Sequence, residues 1–302
     1  MKVVNQMKLS NVCELIEEAE VLKDGDFTSL GLAVSKCEES LLSFIESEKY
    51  ISGLGENITC LITTKEIGEK LKDKYGILIV DSPRMAYFKL HNKLAENKDY
   101  NRKEFKTVIG KNSSISNLAS ISDKNVIIGE NVKIEEFVVI RENTVIGDNS
   151  IIRAGCVLGG EGYEYKRVDG IIMNVIHTGG VIIGDSVEVQ YNSCIDKALY
   201  TWDNTIIGDY TKLDNFVHIE HGVKIGERNL IASRTTIGGR TIVGSDTWIG
   251  LGAIISNGLT IGEKCSISLG SVVTKSLKSE EKVSGNFAID HSKYIEFIKT
   301  IR

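Results

Sequence analysis
The chain has 302 residues with six cysteines, one proline and a formal net charge of −5, a length that fits two domains. An acidic balance, with a pI of about 5.7, argues against nucleic acid as the main partner. No apolar run approaches the ~20 residues of a membrane span, and residues 1–10 lack a signal-peptide core, so a cytoplasmic location is expected.

Residues 1–105 read as a small mixed α/β domain. The expected elements are a helix near 12–19, a second helix near 41–44, strands at 60–63 and 76–80, and a helix after Pro83. Ser82 before Pro83 makes a plausible helix start, since proline is tolerated in a first turn.

From residue 106 to 284 a different rule takes over. A weak start at Ile109, Ile115 and Ile121 leads to an aliphatic at every sixth position: Ile128, Ile134, Ile140, Ile146, Ile152 and Leu158. After a break the phase returns at Ile183, Val189 and Ile195, then runs unbroken from Ile207 and Leu213 through Ile219, Ile237 and Ile255 to Val273. An α-helix has a period of 3.6 and a free strand a period of 2, so a strict six predicts a parallel β-helix. Glycine often follows the aliphatic directly, as at Gly129, Gly208 and Gly238, which suits a corner needing unusual φ or no Cβ. Two insertions, at 159–182 and 196–205, are expected to leave the coil and to carry binding work. Tyr200 and Trp202, in the second, are expected to cap a coil edge. Residues 285–302 end with Tyr294, Phe297, Ile298 and Ile301, the spacing of one short amphipathic helix.

Five histidines are present: His91, His177, His218, His221 and His291. His221, two places after the inward Ile219, is expected to face outward, with Asp214 at the preceding corner. A carboxylate beside an outward imidazole would hold its tautomer and make it a general base. The six-residue pattern resembles that of left-handed β-helix acyltransferases, in which three such stretches make one coil; that implies a coil of eighteen residues, with Gly239 stacked beside His221 and offering a backbone N–H to a developing oxyanion. The competing reading makes His221 and Asp214 solvated wall residues and His218 interface packing. The scattered cysteines contain no C-x-x-C pair, which predicts reduced, mostly buried thiols and no metal site.

Taken in order, Gly160–Gly162 with Tyr163 and Tyr165, the Val181-Ile182-Ile183-Gly184 stretch, Ile195-Asp196, Ile206-Ile207-Gly208 and Asp214-Asn215 with His221 resemble the UDP-3-O-acylglucosamine N-acyltransferases of lipid A biosynthesis. The resemblance implies a left-handed coil, a homotrimer, an Asp214–His221 catalytic pair and an oxyanion glycine at Gly239. It places Phe44, Lys49 and Tyr50 around a uracil ring, and matches Ser82-Pro83 and Tyr87 to a further family stretch. His177 and His218 join the expected substrate contacts. No tightly bound cofactor is implied; the acyl donor would be an acyl carrier protein or coenzyme A. Three departures bear on substrates: Ser47-Glu48 beside the aromatics, Ser256-Asn257-Gly258-Leu259 in place of a second histidine, and a tail cut to one helix. A short-chain acyl- or acetyl-CoA-dependent N-acetyltransferase of dTDP- or UDP-amino sugars is therefore an alternative, and a non-catalytic trimeric scaffold a further one.

Overall fold
The computed structural model describes residues 6–168, 170–285 and 288–300. Its first domain is built on a five-stranded sheet. Ser29–Leu30, Leu41–Phe44, Ile58–Thr63 and Gly76–Ile79 run parallel in that order, and Glu20–Lys23 closes the edge antiparallel to Gly76–Ile79. Helix α1 (Leu9–Cys13), α2 (Lys65–Leu71) and α3 (Pro83–Ala95) complete the domain, with proline in the first turn of α3 as expected.

Two expectations fail here. Leu41–Phe44 is a strand, not a helix: its Leu-Leu-Ser run lies in the sheet interior, where both faces are covered and the alternation that marks a strand disappears. The first helix is shorter and earlier than 12–19. The chain turns at Glu18, in the left-handed region at φ 56°, and enters the edge strand at Glu20.

The second domain is a left-handed parallel β-helix. Among the described residues its three walls contain eight, eight and nine strands, and coils that no insertion interrupts pair in parallel mostly at an offset of eighteen, as in Leu213 with Ile231 and Ile219 with Ile237. The six-residue aliphatics fill one continuous core from Val126 to Val273, separate from the clusters of the first domain. Sequence period thus becomes a column of stacked side chains, each coil burying the face that a single coil would leave open.

The corners divide two backbone requirements that the sequence blurs. Positive φ falls three places after the inward aliphatic, at Asn131, Phe137, Asn143, Tyr210 and Arg228 among others. The glycines one place after it are needed for space instead. A Cβ at Gly208 would lie 2.6 Å from the backbone of Gly226 in the next coil.

Both insertions serve as the dock for the first domain. Gly180–Ile183 and Asn204–Ile207 rejoin the walls, while Tyr165–Val168 and Ile171–Asn174 form an antiparallel hairpin outside them. Val175, Leu199 and Tyr200 belong to the core of the first domain. Tyr87 donates to Tyr200 (3.0 Å), the Trp202 indole donates to the Leu30 carbonyl (2.9 Å), and the two rings stack at 5.9 Å. Tyr200 and Trp202 therefore join domains, and do not cap a coil edge. His91 lies at the same joint against the Ile176 carbonyl (2.7 Å), with burial pushing its pKa down to about 4. Helix α4 (His291–Thr300) has no buried side chain.

Candidate active site
His221 follows the wall strand His218–Ile219 and is 4% exposed. It points out of the coil, as its position two after Ile219 requires, but the first insertion covers it. Gly162 lies on one side: a Cβ there would sit 2.9 Å from His221 Nδ1 and 2.7 Å from His177 Nε2. Gly239 lies on the other, where a Cβ would sit 2.7 Å from both Cε1 and Nε2. The eighteen-residue stacking of Gly239 on His221 is thus observed, and any side chain at either glycine would displace the imidazole. His177 packs edge-on against His221, with ring centroids 5.4 Å apart.

The carboxylates differ from expectation. Within the chain, Asp214 is not the partner of His221: its two oxygens accept the amides of Asn215 (2.7 Å) and Ser233 (3.1 Å), tying down its own corner. Seven residues span a whole coil side, so the pair occupies successive corners. The carboxylate beside His221 is Glu164, whose Oε2 is 3.5 Å from Nε2. Arg240 reaches the same oxygen at 3.3 Å and Lys166 pairs with the other. Burial works to raise the Glu164 pKa, but the close approach of His221, the hydrogen bond from Lys166 and the charges of Lys166 and Arg240 outweigh it, holding the carboxyl well below its usual range. Glu161 is similar. Burial opposes its ionisation, yet His177 and Lys197 hold it down to about 2, with Lys197 Nζ at 2.6 Å and His177 Nδ1 at 3.4 Å.

The Gly239 amide is also engaged. It donates to Glu220 Oε2 at 2.8 Å. A carboxylate oxygen held on an amide is a chemical stand-in for the oxyanion that such a donor would stabilise.

His218, three residues before His221, lies apart from this group. Its side chain is 40% exposed and Nε2 is 3.1 Å from Asp196 Oδ2. The hydrogen bond to Asp196 raises its pKa, burial opposes the shift, and the charges of Asp196 and Glu220 reinforce it. His177 instead lines a cavity of about 520 Å³ with Arg102, Lys124, Arg141, Glu161 and Lys197.

In the first domain Phe44 and Tyr50 line one pocket of about 250 Å³ with Leu32, Val34, Glu46 and Arg84. Phe44 rests on Tyr87 (4.9 Å) and Phe88 (5.8 Å), while Tyr50 is 51% exposed with Lys49 Nζ 4.8 Å above its ring. Glu48 pairs with Lys70, so its charge is neutralised at the domain surface. Glu161, Glu164 and Glu220 were missed from sequence. Their only signal was a pair of acids inside a glycine-rich insertion and another next to a candidate histidine.

The bacterial transferase hexapeptide model (six repeats) matches residues 125–160 and 204–239. Both stretches lie in the second domain. Among curated proteins, the UDP-3-O-acylglucosamine N-acyltransferase of Delftia acidovorans is 32% identical over 139 residues, 46% of this chain and 41% of that protein. That of Leptothrix cholodnii is 46% identical over 136 residues, 45% of this chain and 39% of that one. The chain therefore matches about two fifths of their length, and these relatives bear out the resemblance seen in the sequence. Among solved structures, a UDP-N-acetylglucosamine acyltransferase from Campylobacter jejuni is similar at 20% identity and a TM-score of 0.53, over 65% of this chain and 79% of that one. An Arabidopsis UDP-N-acetylglucosamine acyltransferase is similar at 22% identity and a TM-score of 0.50, over 59% and 67%. Both likenesses are of fold.

Proposed function
We propose that this chain transfers an acyl group from a thioester to the amine of a nucleotide-linked amino sugar, with His221 as general base. The observation that carries the reading is the Gly239 backbone stacked on the His221 ring, which sets a base and an oxyanion donor side by side. The amine nitrogen attacks the thioester carbonyl carbon while His221 takes its proton. The carbonyl oxygen becomes an oxyanion on the Gly239 amide, then the C–S bond breaks and the thiolate recovers the proton from the imidazolium. Glu164 and Glu220 occupy the positions that the reacting amine and the oxyanion would take, so substrate must displace both carboxylates.

The names of the relatives support the amino-sugar acceptor, and the Phe44–Tyr50 pocket supports its nucleotide, stacked between an anchored ring and an exposed one. The donor is a thioester of coenzyme A or of an acyl carrier protein. Exposed Ile242, Trp248, Leu251, Ile254 and Val272 on the outer walls support a homotrimer. No helix among the described residues is long and apolar enough to cross a membrane.

The test is single-turnover acyl transfer by His221→Ala, which should lower the chemical step about 10²–10⁴-fold with sugar binding retained. Turnover near the parent rate would remove His221 as the base.

A further inference from the structure
Outside the His221 group, one wall brings three ligating side chains together. Cys194 and His218 are direct partners on adjacent parallel strands, and Asp196 lies two residues beyond Cys194. Asp196 Oδ2 is 3.1 Å from His218 Nε2 and its Oδ1 is 3.5 Å from Cys194 Sγ. All three donor atoms lie within 4.8 Å of one another. Bonds of ~2.0–2.3 Å to a tetrahedral ion place its ligands about 3.3–3.8 Å apart, so the cluster is already close to the size of such a site.

The surroundings favour a cation. Asp196 is buried, and the Glu220 carboxylate adds negative charge at His218. Gly160 lies alongside: a Cβ there would be 3.4 Å from Asp196 Oδ1 and 4.0 Å from Cys194 Sγ, which is ordinary contact and no obstruction. His218 is open to solvent on one side, leaving a fourth position for water. The wall strands hold Cys194 and His218 in register, so little ordering remains to be done on binding.

We propose that Cys194, Asp196 and His218 form a zinc site with water as fourth ligand. One sulfur, one nitrogen and one oxygen donor suit a borderline-soft divalent ion better than calcium or magnesium, which take oxygen ligands. On binding, the Cys194 thiol gives its proton to solvent and the sulfur binds as thiolate. The ion would cross-link successive coils beside the insertion that covers His221. This site stands independently of the acyl-transfer reading.

The experiment uses the full chain, dialysed against chelator and titrated with Co²⁺ and then Zn²⁺, followed by absorption and by metal analysis after gel filtration. The expected result is one ion per chain, a sulfur-to-cobalt charge-transfer band, and loss of that band when Zn²⁺ displaces the cobalt. Cys194→Ser, which keeps size and fold, should abolish the band and weaken Zn²⁺ binding at least about tenfold; His218→Ala should weaken it similarly, while Cys265→Ser should change neither. Circular dichroism confirms folding of each variant. Absence of a thiolate band, or binding that survives both Cys194→Ser and His218→Ala, overturns the site.

Discussion

The β-helix and the insertion over His221 obey opposite rules. In the uninterrupted coils, such as those from Ile207 to Ile255, each aliphatic meets its counterpart eighteen residues on, and position in the chain determines position in space. In the insertion, Gly162 and Glu164 reach His221 across about sixty residues by no period at all. The coil supplies a fixed ruler on which His221 and Gly239 are marked. The insertion supplies charge and cover, and it is anchored by the first domain. The difference teaches that a rigid repeat can hold backbone groups to close tolerance, while the carboxylate set beside His221 comes from outside the repeat.

Four measurements would break or sharpen that contrast. The largest effect is expected in the coil core. Leu213→Ala deletes a fully buried side chain with neighbours held in register above and below, and should cost about 2–5 kcal/mol in denaturant unfolding. A loss under about 1 kcal/mol would mean that the coil collapses around the gap and is less rigid than claimed.

Gly239→Ala comes next. Its Cβ would press on His221 at 2.7 Å, so turnover should fall about 10²–10³-fold, the scale of losing one oxyanion donor. Unfolding should change much less than for Leu213→Ala, because His221 can swing away. Full turnover would show that Gly239 and His221 do not share a reaction centre.

The nucleotide pocket should respond through binding. Phe44→Ala removes a stacking face of ~1–3 kcal/mol, raising KM for the nucleotide sugar about ten- to a hundredfold with little change in kcat. An unchanged KM returns Phe44 to the aromatic core formed with Tyr87 and Phe88.

The smallest effect concerns His218. Its pKa is raised in the folded chain by Asp196, so the folded state binds more proton than the unfolded one. The stabilisation is complete below the unfolded value of ~6.5 and is lost as pH rises through the folded value. With the side chain partly in solvent, Tm should drop by only about 1–3 °C across that window relative to His218→Gln, measured without divalent metal. Equal slopes in the two proteins would show that the Asp196 contact is not maintained in solution.

Much of the fold was legible because a six-residue period is a stacking instruction: it named the core and, with the three-stretch coil that the resemblance implies, the Gly239–His221 neighbour relation. The strand at Leu41–Phe44 was misread because a doubly covered strand and a buried helical turn present the same short apolar run. Outward direction was also readable for His221, yet its burial was not, because nothing in the period reports what lies over a wall.

By itself, then, the sequence determined the quantities that depend on spacing along the chain: coil register, inward and outward columns, and the break-points of the two insertions. Tertiary structure alone decided the charged partnerships. It turned Asp214 to its own corner amides and set Glu164 on His221 and Glu220 on Gly239. It also gathered Cys194, Asp196 and His218 on one wall. The physical reason is reach. A backbone column is specified by counting residues, whereas a flexible side chain chooses among all charges within a few ångströms; those neighbours come from adjacent coils for Asp214 and Glu220 and from the docked insertion for Glu164.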